Sequence, residues 1–148
     1  MSLQIRDAVE ADLGDIHRLA YELAVYEKLE HLFVAEVEEY REAIFGAKPT
    51  AFVVIAELDE QVAGMALCFR TFSTFLGRSG IWLEDLVVDQ NFRRRGVASA
   101  LLAELRARTP GRLEWEVLDW NEDAMALYDG LGAQRFEGWT KYRVSPSD

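Results

Sequence analysis

The sequence predicts an α/β fold in which helices pack on a mixed β-sheet. Two stretches with helical spacing of apolar residues open the chain, an antiparallel hairpin follows, and the remainder alternates strand, helix, strand, helix and strand. Half of the 148 residues are hydrophobic, which suffices for a sizeable core. Because no repeat, low-complexity tract or linker divides the chain, we expect a single domain over residues 1–148.

The first half of the chain contains a strand, two helices and a hairpin. Alternation and helical spacing predict a strand at Leu3 to Arg6, helices over about 10–26 and 34–45, and hairpin strands at Thr50 to Glu57 and Val62 to Phe72. Aromatic and acidic residues mix in the link between the two helices, Tyr26 to Phe33. Such a link suits either the wall of a cation pocket or an exposed helix end.

The second half follows a strand–helix pattern. An apolar run predicts a buried strand at Ile81 to Val88, and alternation predicts strands at Leu113 to Val117 and Phe136 to Val144, the last at a sheet edge. Between these two, Asn121 is a suitable N-cap for a helix that ends at Gly130 to Gly132. In this helix Tyr128 completes an apolar stripe, so packing alone would explain it.

Three consecutive arginines, Arg93 to Arg95, stand between the strand at Ile81 to Val88 and a helix with small residues in its first turn, Gly96 and Ala98. The first amides of a helix lack intrahelical acceptors and lie at the positive end of its dipole, so they attract anions. Guanidinium groups would reinforce that attraction. The junction therefore suits a diphosphate, although a basic surface turn has the same pattern.

Charge and composition limit the classes of partner. The net charge of −10 argues against a nucleic-acid binder and is compatible with a cationic substrate, although solubility alone also explains it. The apolar runs are too short for a membrane span and the N-terminus lacks a secretory pattern, so we expect a cytoplasmic protein that binds no membrane. Cys68 is expected in the core, and His17 and His31 are too isolated to indicate a metal site.

The arginine turn resembles a known signature. Arg93-Arg-Arg-Gly-Val-Ala98 is similar to the Gln/Arg-x-x-Gly-x-Gly/Ala pattern of the GNAT acyl-CoA-dependent N-acetyltransferases, with alanine where a final glycine is more usual. A resemblance to the spermidine/spermine (diamine) and thialysine branch rests on five further segments: Glu22–Glu27, Leu83–Val88, Trp120–Glu122, Leu127–Ala133 and Glu137–Trp139. The segment between Gly132 and Glu137 is shorter than in the animal polyamine enzymes, which makes the fit of a long polyamine doubtful.

The resemblance implies a GNAT-type fold, with a mostly antiparallel central sheet flanked by helices and splayed strands that form an acetyl-CoA cleft. The backbone of Leu86, Val87 and Val88 would pair with the pantetheine arm. The diphosphate would lie on the turn formed by Arg93, Arg94, Arg95, Gly96, Val97, Ala98 and Ser99. The thioester end would meet Asn121, Glu122, Asp123 and Ala124.

The resemblance also implies roles at the acceptor. Tyr128 aligns with the general acid of the family, and the amine contacts would come from Tyr26, Glu27, Glu84, Asp85, Glu114, Trp115, Glu116, Trp120 and Glu137. An alkylamine with a pKa near ~10 must lose a proton before it attacks a thioester, and we expect Glu84 to act as the base. Alternatively, Glu84 and Asp85 only bind the ammonium, and Glu114 and Glu116 only face solvent.

The sequence therefore predicts an acetyl-CoA-dependent N-acetyltransferase that acts on a primary amine of a small cation, such as a diamine, a polyamine or a lysine analogue. Direct transfer in a ternary complex is expected because no side chain offers itself as an acyl carrier. Two alternatives remain: another acceptor (an amino acid, an aminoglycoside or a protein amine), or a non-catalytic acyl-CoA-binding domain. Since members of the branch are commonly homodimers, we expect a homodimer.

Overall fold

The computed structural model describes residues 2–147 and confirms the predicted α/β fold. Five strands form one sheet in the order β1-β2-β3-β4-β5, with bounds Leu3–Asp7, Phe52–Leu58, Gln61–Ser73, Arg78–Val88 and Leu113–Trp115. Neighbouring strands are antiparallel except β4 and β5, which are parallel. The sheet is therefore mixed and mostly antiparallel, as the sequence and the resemblance imply.

Four α-helices accompany the sheet in the described residues: α1 Leu13–Tyr26, α2 Val37–Phe45, α3 Val97–Ala107 and α4 Glu122–Gly130. Both early helices begin about three residues later than predicted. Residues Glu10–Asp12 form a 3-10 turn before α1, in which the Asp12 carboxylate accepts the Val9 amide at 2.8 Å. The start of α2 is set by Glu39, whose carboxylate accepts the Glu36 amide at 3.0 Å. These local polar contacts satisfy amides that would otherwise lack acceptors.

The chain forms two compact units, one up to Glu116 and one from Val117 onward. All five strands and helices α1 to α3 lie in the first unit, and α4 lies in the second. The expected single domain over residues 1–148 stays a prediction.

The core of the first unit lies on both faces of the sheet. One cluster joins the α1 residues Ile16, Leu19 and Ala20 to the strand residues Val53, Ile55, Met65, Leu67 and Val87. Since successive side chains of a strand point to opposite faces, the buried residues between them, such as Ala66 and Cys68, face the other side. Helix α3, which packs against β1 to β4, buries Val97, Leu101, Leu102 and Leu105. We call the two faces the α1 face and the α3 face.

The predicted edge strand from Phe136 to Val144 is wrong. This segment forms no strand, Gly138 has a φ of 93°, and Phe136, Trp139, Tyr142 and Val144 are 78% to 100% exposed. An alternating pattern becomes a strand only where a neighbouring strand and a packing face exist. The described residues of the second unit provide neither.

Two further features of the fold are the end of strand β5 and the length of the helices. Strand β5 ends at Trp115, two residues earlier than predicted, so Glu116 lies beyond it. Among residues 2–147, no helix combines the length and the apolar character needed to cross a membrane.

Candidate functional site

The arginine turn forms a helix N-terminus with uncommitted donors. Gly96 is the N-cap of α3 with a φ of 76°, and Arg94 also has a positive φ of 63°. The first amide bonded back to the turn is that of Ala100, which donates to the Gly96 carbonyl at 3.0 Å. In the part of the chain that the structure describes, the amides of Val97, Ala98 and Ser99 have no protein acceptor. Three adjacent donors at the positive end of a helix can therefore receive an anion.

The buried residue Asp89 fixes the position of the turn through its hydrogen bonds. Its carboxylate accepts the Asn91 amide at 2.9 Å and a hydrogen bond from the Arg18 guanidinium of α1 at 3.1 Å. Its own amide donates to the Ala63 carbonyl at 2.8 Å. One side chain thus joins the end of β4, the following 3-10 turn and α1, which fixes where α3 begins.

The side chains of Arg93, Arg94 and Arg95, which precede this N-terminus in the chain, are exposed. The Arg93 guanidinium lies 6.0 Å from the centre of the Tyr26 ring, and that of Arg95 lies 5.9 Å from the Phe92 ring. Both distances are within the range of cation–π attraction, which holds a guanidinium in place without neutralising it. The predicted acceptor residue Tyr26 is therefore also a neighbour of the predicted diphosphate turn.

Strand β4 continues beyond the strand that flanks it. Its pairing with β5 covers Ile81 to Leu83 and stops there. Among the described residues, no strand pairs with Glu84 to Val88 on that side, while β3 pairs on the other side. The splayed edge expected for the cofactor cleft is thus present, and Leu86, Val87 and Val88 lie along it.

A β-bulge at Glu84 sets the direction of two neighbouring carboxylates. Asp85 pairs with Leu67 and Leu83 pairs with Cys68, so Glu84 is an extra residue without a partner in β3. Before the bulge, Trp82 lies opposite Phe69, which packs on the α1 face. After it, Asp85 lies opposite Leu67, which also belongs to that face. The extra residue therefore lets both carboxylates lie on one face, which regular alternation forbids.

Asp85 lines a cavity of about 310 Å³ between α1, β4 and the link to α2. The polar groups in its wall belong to Glu27, Tyr40 and Asp85. The rest of the wall is apolar and comes from Ala20, Leu23, Ala24, Leu32, Phe33, Val34 and Ala35. The link between the helices therefore does form the wall of a pocket, one of the two interpretations that its sequence allowed.

The carboxylates at this cavity repel one another. Burial, followed by the charges of Glu84 and Glu27, raises the pKa of Asp85 to about 7. Burial and then the Glu84 charge raise the pKa of Glu27 as well. Burial and the charges of Asp85 and Glu84 raise the pKa of Tyr40 to about 12. Since no ion pair joins these carboxylates to a cationic side chain within residues 2–147, a bound cation would relieve the repulsion.

The wall of the cavity is fastened to α1 by His17. Its Nε2 lies 2.8 Å from the Ala35 carbonyl oxygen, so the proton on that nitrogen is donated to it. The ring also makes edge contacts with Phe33 and Tyr40, at centroid distances of 5.3 and 5.4 Å. His17 therefore has a structural role, holding the wall of the cavity rather than a ligand.

The remaining predicted acceptor residues of the first unit lie near β5. Glu114 pairs in register with Trp82 and is exposed, Trp115 is half-buried, and Glu116 is exposed. Because partners in a parallel pair point to the same side, Glu114 shares the α1 face with Trp82. The structure thus brings Glu27, Glu84 and Asp85 together, places Tyr26 beside Arg93 and adds Glu114 on the α1 face.

The second unit holds the other predicted residues. Asn121 caps α4 as predicted, its side chain accepting the Ala124 amide at 3.2 Å, with Glu122 and Asp123 in the first turn. Tyr128 is half-buried on α4, while Trp120 and Glu137 are exposed. Whether these residues meet a cofactor or an acceptor stays a prediction.

Tyr40 is a residue of the cavity wall that was not predicted from the sequence. In the sequence it is one aromatic residue in the apolar stripe of a helix, together with Val37 and Ile44, which is what any packed helix contains. Its position in the wall of the cavity depends on how α2 returns to the sheet. No local signal in the sequence carries that information.

The chain is similar to known proteins of one family. A family model for the acetyltransferase (GNAT) family matches residues 13–133. The thialysine N-epsilon-acetyltransferase of Caenorhabditis elegans is 40% identical over 134 aligned residues, which cover 85% of this chain and 81% of that protein. The L-ornithine N5-acetyltransferase of Arabidopsis thaliana is 27% identical, covering 98% of this chain and 85% of that protein.

Solved structures share the architecture. An integron cassette protein from the mobile metagenome of V. cholerae superposes with a TM-score of 0.80, at 21% identity, over 99% of this chain and 94% of that one. At this level of identity the likeness concerns the fold.

Proposed function

Because the chain belongs to the acetyltransferase (GNAT) family, we propose that it transfers the acetyl group of acetyl-CoA to a primary amine of a small cation. The acceptor is a diamine, a polyamine or a lysine analogue. The observation that carries this proposal is a group of three mutually repelling carboxylates at one cavity: Glu27 and Asp85 lie in its wall and Glu84 lies next to Asp85, and no cationic side chain within residues 2–147 forms an ion pair with them. Thialysine and ornithine, named for two of the relatives, both carry such an amine at the end of an aliphatic chain.

The first unit contains groups that fit coenzyme A. The amides of Val97 to Ser99 and the three arginines suit a diphosphate, which is doubly charged and rich in acceptor oxygens. The splayed edge at Leu86 to Val88 suits an amide-containing arm, because it can pair with it as a further strand would. In the second unit, Asn121 to Ala124 are proposed to lie near the thioester.

Acid–base chemistry then assigns roles to the chain. Bound acetyl-CoA supplies an activated thioester. A carboxylate on β4 removes a proton from the ammonium, and the sequence predicts Glu84 for this role. The backbone amide near Leu86 or Val87 polarises the acetyl carbonyl. The Tyr128 phenol donates a proton to the leaving sulfur.

Direct transfer between the two substrates is supported by the state of the thiol. Cys68 is buried in β3, and burial raises its pKa to about 12. A neutral thiol enclosed by core residues is a poor nucleophile, so it does not suit the role of an acyl carrier.

We also propose that the protein acts in the cytoplasm as a homodimer and that both units form one catalytic domain. The family match spans residues of both units, which supports the single domain. Exposed aromatic residues are available for a dimer interface: Phe72, Phe75 and Trp139. Light scattering across a range of protein concentrations should give twice the mass of the chain, and a monomer at high concentration would contradict the dimer.

A panel of amines assayed with acetyl-CoA tests the main proposal. The panel contains thialysine, lysine, ornithine, linear diamines, spermidine and an aminoglycoside, with a neutral alcohol as control. We expect release of free CoA with the small cations and the highest kcat/KM among them. If CoA binds in calorimetry but no amine is acetylated, the protein is instead a non-catalytic acyl-CoA-binding domain.

A further inference from the structure

We infer that Asp85, rather than Glu84, accepts the proton of the acceptor ammonium, while Glu84 binds the cation nearer the solvent. This inference rests on the proposed function and assigns a new role within that site. It departs from the expectation drawn from the sequence, where Glu84 is the base and Asp85 only a contact.

The two carboxylates differ in their position relative to the cavity. The bulge turns both to the α1 face, but only Asp85 lies in the wall of the cavity. Glu84 is exposed, and its Oε1 accepts the Trp82 indole N–H at 3.0 Å. That hydrogen bond occupies one oxygen of Glu84 and holds its carboxylate beside the Trp82 ring, outside the cavity wall.

The surroundings of Asp85 favour its protonated form. The titratable groups that act on it or share the cavity are Glu27 at the end of α1, Tyr40 from α2 and Glu84 from β4, whereas Cys68 of β3 lies on the opposite face of the sheet. None of them is a cation that would hold Asp85 in its charged form. Burial, and after it the charges of Glu84 and Glu27, raise its pKa to about 7, so the carboxylate is a stronger base than an ordinary aspartate yet is largely ionised slightly above neutral pH.

The proposed step balances without any further reactant. An oxygen of Asp85 takes one proton from the ammonium, and the freed electron pair of the nitrogen forms a C–N bond to the acetyl carbon. The C–S bond breaks, the sulfur keeps its electron pair, and it takes a proton from the general acid. The remaining extra proton of the nitrogen passes through water to restore the general acid as the amide forms, and Asp85 releases its own proton to solvent, which is the one proton that the reaction produces.

The arrangement also explains why two neighbouring carboxylates are useful. The exposed Glu84 carboxylate lies next to Asp85 on the α1 face, where it can attract a cation that approaches the cavity. Loss of Glu84 should therefore raise KM for the amine, whereas loss of Asp85 should lower kcat.

The first experiment uses the free protein. Carbon-13 NMR of protein labelled at aspartate carboxyl carbons, with the Asp85 signal assigned from its absence in Asp85→Asn, gives the titration midpoint directly. We expect a midpoint near 7 that falls in Glu84→Gln and in Glu27→Gln, because each substitution removes a neighbouring negative charge. A midpoint near that of a free aspartate would overturn the inference.

The second experiment varies the acceptor. Two amines of similar shape are compared, an ordinary alkylamine and a fluorinated analogue that is mostly neutral at the assay pH. Asp85→Asn should lower kcat by about 100-fold or more with the alkylamine and by less than about tenfold with the analogue, because a neutral amine needs no base. Glu84→Gln should raise KM for the alkylamine with a smaller loss of kcat. Glu60→Gln, which removes one charge from the exposed β2–β3 turn, serves as the control.

The outcomes separate the two proposals. Equal losses with both amines would mean that Asp85 only binds or shapes the site, and a larger loss of kcat in Glu84→Gln would return the role of base to Glu84. Either result overturns the inference while the acetyltransferase assignment stands. A wild-type protein that acetylates no amine would refute both proposals. If the inference holds, Asp85→Glu, which keeps the carboxylate, should retain more activity than Asp85→Asn.

Discussion

The Arg18 guanidinium lies 3.1 Å from the Asp89 carboxylate, and this contact joins the middle of α1 to the turn that precedes α3. Arg18 also contacts Asp15 and Glu22 on its own helix, at 3.2 and 3.0 Å. These carboxylates hold the guanidinium in the direction of Asp89. The position of the proposed diphosphate turn therefore depends on a side chain that does not belong to the turn.

Replacing Arg18 with methionine should weaken coenzyme A binding. Asp89 would lose its cationic partner while it stays buried, and we expect a cost of about 1 kcal/mol, or roughly a fivefold increase in Kd. Isothermal titration calorimetry with CoA measures it. Arg41→Met is the matched control, because Arg41 forms its ion pairs with Glu10 and Glu38, away from the turn. Equal increases in Kd in both variants would show that the loss of one positive charge, and not the loss of the contact with Asp89, weakens CoA binding.

Alanine at Gly96 and at Gly14 should change stability in opposite directions. A Cβ at either position would meet no atom within 4 Å, but Gly96 has a φ of 76° whereas Gly14 lies in α1. Gly96→Ala should therefore destabilise the fold by about 1 kcal/mol, and Gly14→Ala should stabilise it by up to about 1 kcal/mol. Urea unfolding of both variants tests this, and a Gly96→Ala protein as stable as the wild type would mean that the turn tolerates another conformation.

Removing the Tyr128 hydroxyl should slow turnover. If the phenol protonates the leaving sulfur, Tyr128→Phe should lower kcat at neutral pH by about 100-fold, within the usual range for a general acid. Affinity for CoA should stay within about twofold, since the ring remains. Tyr142→Phe is the control, because Tyr142 is 90% exposed in the same unit. Full turnover in Tyr128→Phe would remove the assignment.

Asp85 should make stability depend on pH. Its pKa is raised from 3.8 to about 7 in the folded protein, so the folded state binds more protons than the unfolded state between these values. The stabilisation is complete below about pH 4 and is lost as the pH rises through about 7. The side chain in Asp85→Asn cannot ionise. The free energy of unfolding of this variant, relative to that of the wild type, should therefore be roughly 1–3 kcal/mol higher at pH 8 than at pH 5. Thermal unfolding of both proteins at the two pH values measures this difference in stability. The same difference at pH 5 and pH 8 would mean that the folded protein does not disfavour the charged form of Asp85.

Local sequence was a good guide to the elements of the first unit and to the arginine turn. Gly96, the small residue at position 98 and the spacing of Val97, Leu101 and Leu105 all act within a few residues of one another, so the start of α3 could be predicted. The cap of α4 at Asn121 was predictable for the same reason. Both are decided by which backbone donors nearby side chains can satisfy.

The arrangement of the carboxylates was beyond local reasoning. Nothing in Leu83 to Asp85 marks a bulge, because no glycine or proline stands there, and the irregularity is visible only in the pairing with β3. The part played by Tyr40 likewise requires the path of α2. Conversely, the alternating aromatic residues from Phe136 to Val144 predicted a strand that is wrong, since alternation cannot reveal whether a neighbouring strand exists.

The bulge has a consequence for how this site tolerates a change in chain length. Deleting a residue from an ordinary strand turns every later side chain to the opposite face. Here one residue is surplus, so loss of the codon for Glu84 would restore regular pairing and leave Asp85 and the edge at Leu86 to Val88 oriented as before. A strand built in this way can gain or shed a negative charge by insertion or deletion without losing the rest of its site.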